Sequence, residues 1–152
     1  MNTRIGYAGG AFDLFHIGHL NLLRHARANC DFLIAGVLTD EMLELTKGVA
    51  PIVPFAERLE IVRSICFVDA VHAERVPDKL DTWREVRFNL YFKGDDWRGT
   101  ERARRLEAEF AEVGVEIWYF PYTVHTSSTV LRLALQSLTR EGVGSGRSAE
   151  AE

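Results

Sequence analysis

His16 and His19 fall in the run Gly9-Gly10-Ala11-Phe12-Asp13-Leu14-Phe15-His16-Ile17-Gly18-His19. Two imidazoles three residues apart at a helix start project to one side. Gly18 between them leaves room for a bulky ligand against the backbone. A helix N-terminus adds unpaired N–H groups and about half a positive charge, which suits a phosphate group. Imidazoles placed there can donate hydrogen bonds to phosphate oxygens as charge builds in a transition state. A metal site is the competing use of such a pair, but no third ligand is evident nearby. An accidental pair is the third reading, and the Gly-Gly turn argues against it.

Such a pair needs a strand in front of it and a helix behind it. Arg4-Ile5-Gly6-Tyr7-Ala8 reads as a strand entering the turn at Gly9-Gly10, and the spacing of Leu20, Leu23 and Ala26 predicts a helix over 17–28. The unbroken apolar run 32–38 suits a parallel strand covered on both faces. Pro54 opens a second helix, continued by Leu59, Val62 and Cys66. Further strands are predicted over 69–72, 90–93 and 116–120, with helices over 80–88 and 100–113 and a last one from Ser127 or Ser128. The pattern is that of an α/β protein, a Rossmann-like, doubly wound, five-stranded parallel sheet. Residues 1–140 form its single domain, and 141–152, with little apolar content, read as a flexible tail. The stretch 39–53 has no clear periodicity and reads as a long substrate-binding loop.

The chain has 152 residues, 47% of them apolar and 26% charged, with a formal charge of −4. One domain of that size buries a core without a disulfide or structural metal. The acidic balance disfavours nucleic acid as a partner. Cys30 and Cys66 form no disulfide framework or zinc spacing. No apolar run reaches the ~20 residues of a membrane span, and the N-terminus lacks the apolar core of a signal peptide. The sequence therefore reads as a cytoplasmic protein.

Ligands of open α/β sheets bind beyond the carboxyl ends of the strands. There lie 9–19, 39–58, 94–100 and 121–129, the segments richest in Gly, His, Asp, Lys and hydroxyl residues. Ser127, Ser128 and Thr129 join hydroxyls to a helix N-terminus, a second phosphate cradle. One of the three is explained by ordinary capping.

The segment 10–19 resembles the signature of the nucleotidyltransferases that carry a His-x-Gly-His motif. Lys93-Gly94-Asp95-Asp96-Trp97 is similar to the Gly-Asp-Asp-Trp segment of the glycerol-3-phosphate cytidylyltransferase branch, and Phe67-Val68-Asp69 to the end of its Arg-Tyr-Val-Asp element. Thr123 with Ser127-Ser128-Thr129 resembles the C-terminal Thr and Ser/Thr cluster of that branch. The four motifs are collinear from Gly10 to about Arg132.

The resemblance implies a reaction in which CTP and a phosphorylated alcohol give a CDP-alcohol and pyrophosphate, without a covalent enzyme intermediate. His16, His19 and Lys47 are then the catalytic residues. Gly10, Ala11, Phe12, Gly18, Gly94, Asp95, Trp97, Thr123, Ser127, Ser128 and Thr129 hold the nucleotide, and Asp13 and Arg58 serve the acceptor. Asp13 has two further uses, ordering its loop or meeting a metal, and Trp97 an alternative as a buried loop-corner residue. A triphosphate implies Mg²⁺, with ligands that the sequence does not identify. The family also implies a homodimer, with Phe67-Val68 as a candidate contact.

The chain departs from the branch at several positions. Cys66 and Phe67 stand for the Arg-Tyr, Tyr122 for an arginine of the C-terminal run, Val124-His125 for its Glu-Gly, and Ala11 for a threonine. Two bidentate phosphate donors are lost, with Arg63 and His125 as candidates to replace them. The acceptor is thus glycerol 3-phosphate or another polyol or alcohol phosphate or phosphonate. Two other readings stand beside this one. The first is an adenylyltransferase of the same superfamily acting on a flavin or pantetheine phosphate. The second is a catalytically silent nucleotide-binding module.

Overall fold

The computed structural model describes residues 2–121 and 125–145. Five strands, β1 (Ile5–Gly10), β2 (Phe32–Leu38), β3 (Ala70–Glu74), β4 (Leu90–Gly94) and β5 (Glu116–Phe120), form one sheet in the order β3-β2-β1-β4-β5. Every pairing is parallel. Successive strands move outward from β1 to β3, and the chain then returns to place β4 on the other side of β1. The crevice between the ends of β1 and β4 is therefore the topological switch point, where such sheets take ligands.

Helices α1 (Ile17–Ala28), α3 (Phe55–Arg63), α4 (Lys79–Val86) and α5 (Glu101–Glu112) cover the sheet. Side-chain alternation along β1 and β4 divides the core between the two faces. Ala8 and Phe92 face Leu23 and Ala26 of α1 and Val62 of α3, whereas Tyr7 and Tyr91 face Leu106 and Phe110 of α5. Beside the central strand β1, β2 must be thin. A Cβ on Gly36 would lie 1.9 Å from the Tyr7 hydroxyl.

The sequence reading of 39–53 as a loop is corrected. Asp40–Lys47 is a helix, α2, capped by Thr39 Oγ1, which accepts from the Met42 N–H, and closed by Gly48 at φ 66°. Met42 and Leu43 anchor it by burial. Its eight residues are too few to show a helical period. The last helix, α6 (Ser128–Ser145), continues past position 140, where the sequence reading ends the domain. Asp95–Trp97 forms a single 3-10 turn after β4.

Candidate active site

The turn from β1 into α1 is tightly determined. Phe12 and Leu14 both adopt positive φ, 52° and 50°, a region that side-chain-bearing residues rarely occupy. Burial of the Phe12 ring, which meets His19 edge-on at 5.4 Å, holds the turn in place. His16 then caps α1. Its Nδ1 accepts from the Gly18 N–H at 3.0 Å, and the His16 N–H donates to His19 Nδ1 at 3.3 Å. The two rings stack with centroids 3.9 Å apart.

This reciprocal arrangement fixes the chemistry of both rings. A nitrogen that accepts a backbone N–H cannot itself carry hydrogen, so each neutral ring has its proton on Nε2. Burial holds His16 below the usual histidine range. Burial, reinforced by the neighbouring His16, pushes His19 down to about 3. The site thus presents two neutral Nε2–H donors, already oriented.

Both histidines line a cavity of about 420 Å³ above the ends of β1 and β4. Of the residues expected to hold nucleotide, Gly10, Ala11, Phe12, Gly18, Gly94, Ser127, Ser128 and Thr129 line it, and Lys47 reaches its rim. Asp95 and Trp97 do not. Asp96 takes the place expected for Asp95, and Trp97 turns into a second cavity of about 440 Å³ on the α5 side. Gly9, Gly10, Lys47, Lys93 and Asp96 border both spaces. Thr123 lies outside the described residues.

The structure separates the two acceptor candidates, since Asp13 lines the first cavity and Arg58 lines neither. Arg58 is 0% exposed and its guanidinium is enclosed by the protein. It donates to the carbonyls of Val53, Ala11 and Leu38 and to Asp40 Oδ1 at 2.6 Å. Four of its five N–H groups are used in this way, and the side chain lines neither cavity. Asp13 is 1% exposed and orders the loop, one of the uses the sequence left open. Its two oxygens accept from the Ile52 and Val53 N–H groups, both at 2.9 Å, and Oδ2 also accepts from Arg132 at 2.8 Å. Burial alone would raise its pKa, but those two N–H bonds and the Arg132 guanidinium hold the carboxyl below its ordinary range.

The hydroxyl cluster also divides its labour. Ser127 Oγ caps α6 by accepting from the Val130 N–H, and Ser128 Oγ donates to the Asp13 carbonyl at 2.7 Å. Neither Arg63, paired with Glu60 on an exposed face of α3, nor His125 lines the cavity as a replacement phosphate donor.

Two cations that sequence reasoning did not select do reach the site. Arg132 lines the first cavity, and its Nε is buried without a partner among the described residues. Its position one turn after Ser128 is the signal that was available. Lys93, the last side chain of β4, borders both cavities. Burial, with Lys79 and Lys47 nearby, brings its ammonium down to about 8. Lys47 stands open at the rim, where partial desolvation and then Lys79, Arg132 and Arg102 hold it below the usual lysine range. The site is electropositive and suited to a polyphosphate.

Among the described residues, no group of three or more His, Cys, Asp or Glu side chains is placed to hold a metal ion. A magnesium ion held by one carboxylate and substrate phosphates needs no such group. Asp96, exposed where the two cavities meet, fits that lesser demand.

The Cytidylyltransferase-like family model matches residues 7–134. The bifunctional protein HldE of Acidiphilium cryptum is 38% identical over 95 residues, 62% of this chain and 20% of that protein. This chain therefore spans only about a fifth of that relative's length. The glycerol-3-phosphate cytidylyltransferase of Bacillus spizizenii is 32% identical over 130 residues, 85% of this chain and 95% of the relative. The FAD synthase of Thermococcus onnurineus is 32% identical over 119 residues, covering 76% and 77% of the two chains.

Proposed function

The chain belongs to the cytidylyltransferase-like family, and we propose that it is a nucleotidyltransferase that transfers CMP from CTP to a phosphorylated alcohol. Glycerol 3-phosphate or a similar polyol or alcohol phosphate or phosphonate is the acceptor, and pyrophosphate is released. The carrying observation is the pair of fixed Nε2–H donors at the α1 N-terminus, above the switch point of the sheet.

An acceptor phosphate oxygen attacks the α-phosphorus of the nucleotide. The new P–O bond forms as the bond to the bridging oxygen of the β-phosphate breaks, and pyrophosphate leaves with the electron pair. A phosphate monoester is already largely ionised at pH 7, so no general base is required. His16 and His19 act as neutral hydrogen-bond donors to the α-phosphate oxygens, whose charge grows in the transition state. Lys47 and Arg132 Nε offer donors to the β- and γ-phosphates, and the N-terminus of α6 adds its dipole. Magnesium would supply neutralisation of phosphate charge, and Asp96 would be the side chain to hold it.

The relationship to an FAD synthase favours one alternative, transfer of AMP from ATP. Pyrophosphate release with Mg²⁺ separates the two when CTP, ATP, UTP and GTP are compared against a panel of alcohol phosphates, phosphonates and FMN. Release with CTP and an alcohol phosphate is expected. ATP-dependent release would replace the base assignment, and nucleotide binding without release under any pairing would leave a silent binding module.

No helix among the described residues is long and apolar enough to cross a membrane. The same proposal includes a cytoplasmic homodimer. Phe67 and Val68 pack partly onto the core, so the dimer contact would use their exposed remainder. Light scattering at several concentrations tests it.

A further inference from the structure

The cations that border the first cavity are not equivalent. Arg132 pairs with Asp13, and Lys47 stands exposed at the end of α2. Lys93 is half-buried, yet among the described residues its Nζ donates no hydrogen bond and makes no ion pair. It rests over Trp97, 5.1 Å from the ring centroid, and Arg102 of α5 shares that ring at 5.9 Å. Lys79 of α4 and Lys47 add like charge.

The nearby carboxylates offset little of this. Glu74, at the end of β3, is 0% exposed and already accepts from Lys79 Nζ at 2.7 Å and from the Tyr7 hydroxyl at 2.8 Å. Asp78 caps α4, Glu109 bonds Arg105, and Asp96 is exposed where the two cavities meet. Tyr91 and Tyr119, beside Lys93 on β4 and β5, are held above the ordinary phenol range and stay uncharged. A desolvated ammonium without an anion is unfavourable. A bound phosphate would supply that anion.

Lys93 is also placed to meet one. It is the last side chain of β4, and the pairings Tyr7 with Tyr91 and Ala8 with Phe92 bring Gly9 beside it on β1. Gly9 and Gly10 border both cavities, so β1 puts no side chain between the ammonium and the histidine turn. A Cβ on Gly9 would lie 2.8 Å from Glu74 Oε1, so that bare strand end is required by the packing.

We propose that Lys93 is a further catalytic residue, whose ammonium contacts the oxygens of the transferred phosphoryl group from across the end of β1, opposite His16 and His19. The proposal rests on the transfer reading above and adds a charged donor to two neutral ones. As the acceptor oxygen bonds to the α-phosphorus and the bond to the bridging oxygen of the β-phosphate breaks, charge grows on the non-bridging oxygens. The ammonium neutralises that charge and keeps its proton throughout.

Lys93→Met and Lys93→Arg test this beside the unaltered protein. Removing an unpaired cation from among like charges should leave Tm unchanged or raised in Lys93→Met, whereas a structural lysine would lower it. With CTP, glycerol 3-phosphate and Mg²⁺, kcat should fall about 10²-fold in Lys93→Met and be largely restored in Lys93→Arg. In the unaltered protein kcat/KM should decline above about pH 8, where the Lys93 ammonium loses its proton. A guanidinium stays charged there, so that decline should vanish in Lys93→Arg. Calorimetric binding of CTP and of ATP supplies a readout that needs no turnover. Affinity should weaken by about 10-fold from pH 7 to pH 9 in the unaltered protein and stay constant in both variants. An undiminished kcat in Lys93→Met, or the same pH dependence in all three proteins, overturns the proposal and leaves the transfer reading standing. A pH-dependent affinity abolished by both substitutions, without pyrophosphate release under any pairing, upholds the phosphate contact and defeats the transfer reading instead.

Discussion

Asp13 and Arg132 lie 119 positions apart in the sequence, yet their carboxylate and guanidinium meet at 2.8 Å. Together with the bond from Ser128 to the Asp13 carbonyl, that pair fastens α6 against the turn that carries the histidines. The first cavity consequently has two helix N-termini at fixed separation. Asp13→Ala removes one carboxylate from three donors at once. Hydrogen bonds to a charged group contribute about 1.5–3 kcal/mol, and the variant should lose stability of that order or more. The urea midpoint reports it, and an unchanged midpoint would show that α6 is held by other contacts.

His16→Asn separates capping from catalysis. Asparagine is among the best N-cap residues, so α1 should persist and nucleotide affinity should stay within a few-fold. The loss of one oriented Nε2–H donor should lower kcat by about 10²–10³-fold. Calorimetric nucleotide binding alongside steady-state rates distinguishes this from general misfolding.

Arg58→Met tests whether the buried guanidinium is structural. Breaking a buried pair destabilises by about 3–5 kcal/mol, or roughly 10 °C in Tm for a domain of this size. At temperatures where the variant is folded, the acceptor KM should remain near its original value. A raised KM at unchanged Tm would return Arg58 to the acceptor site.

The histidine pair makes a prediction about pH. An unfolded histidine titrates near 6.5, whereas His19 in the folded protein is pushed down to about 3. Between those values the unfolded chain binds the extra proton, so stability falls as pH drops from about 6.5 toward 3. Turnover, by contrast, should show no acid limb from the imidazoles themselves above pH 6.5, since both are already neutral. Denaturation midpoints across that range, with ¹⁵N resonances of the ring nitrogens, check both statements. A His19 resonance titrating near 6.5 would contradict the capping hydrogen bonds.

Much of the scaffold was legible because it is local. The apolar run of β2 and the spacing of Leu20, Leu23 and Ala26 in α1 locate their elements without tertiary information, and both match the observed bounds. The His16/His19 pair was legible for the same reason. Arg58 was not, because its partners include three backbone carbonyls, which have no signature in the sequence. Trp97 was assigned to the nucleotide because a motif fixes order along the chain but not which side of β4 a side chain takes. Lys93 and Arg132 were passed over as single cations, since their significance comes from the like charges and the Asp13 carboxylate that only the fold brings near. The Glu74–Lys79 pair spans the exit of β3 and the start of α4, where no periodic rule applies.

The guanidinium of Arg58 also divides the cleft mechanically. Residues 11, 38, 40 and 53 converge on it, and residues 52 and 53 are held again by Asp13. Prising these segments apart would break several charge-assisted bonds together, so they behave as one stiff bracket that carries the His16/His19 turn. Residues 47–50, exposed throughout and hinged by Gly48 in the left-handed region, have no comparable anchor among the described contacts. Lys47 is the last residue of α2, directly before that glycine. The imidazoles therefore stand on the bracketed side of the cleft, and Lys47 reaches it from the exposed end of α2.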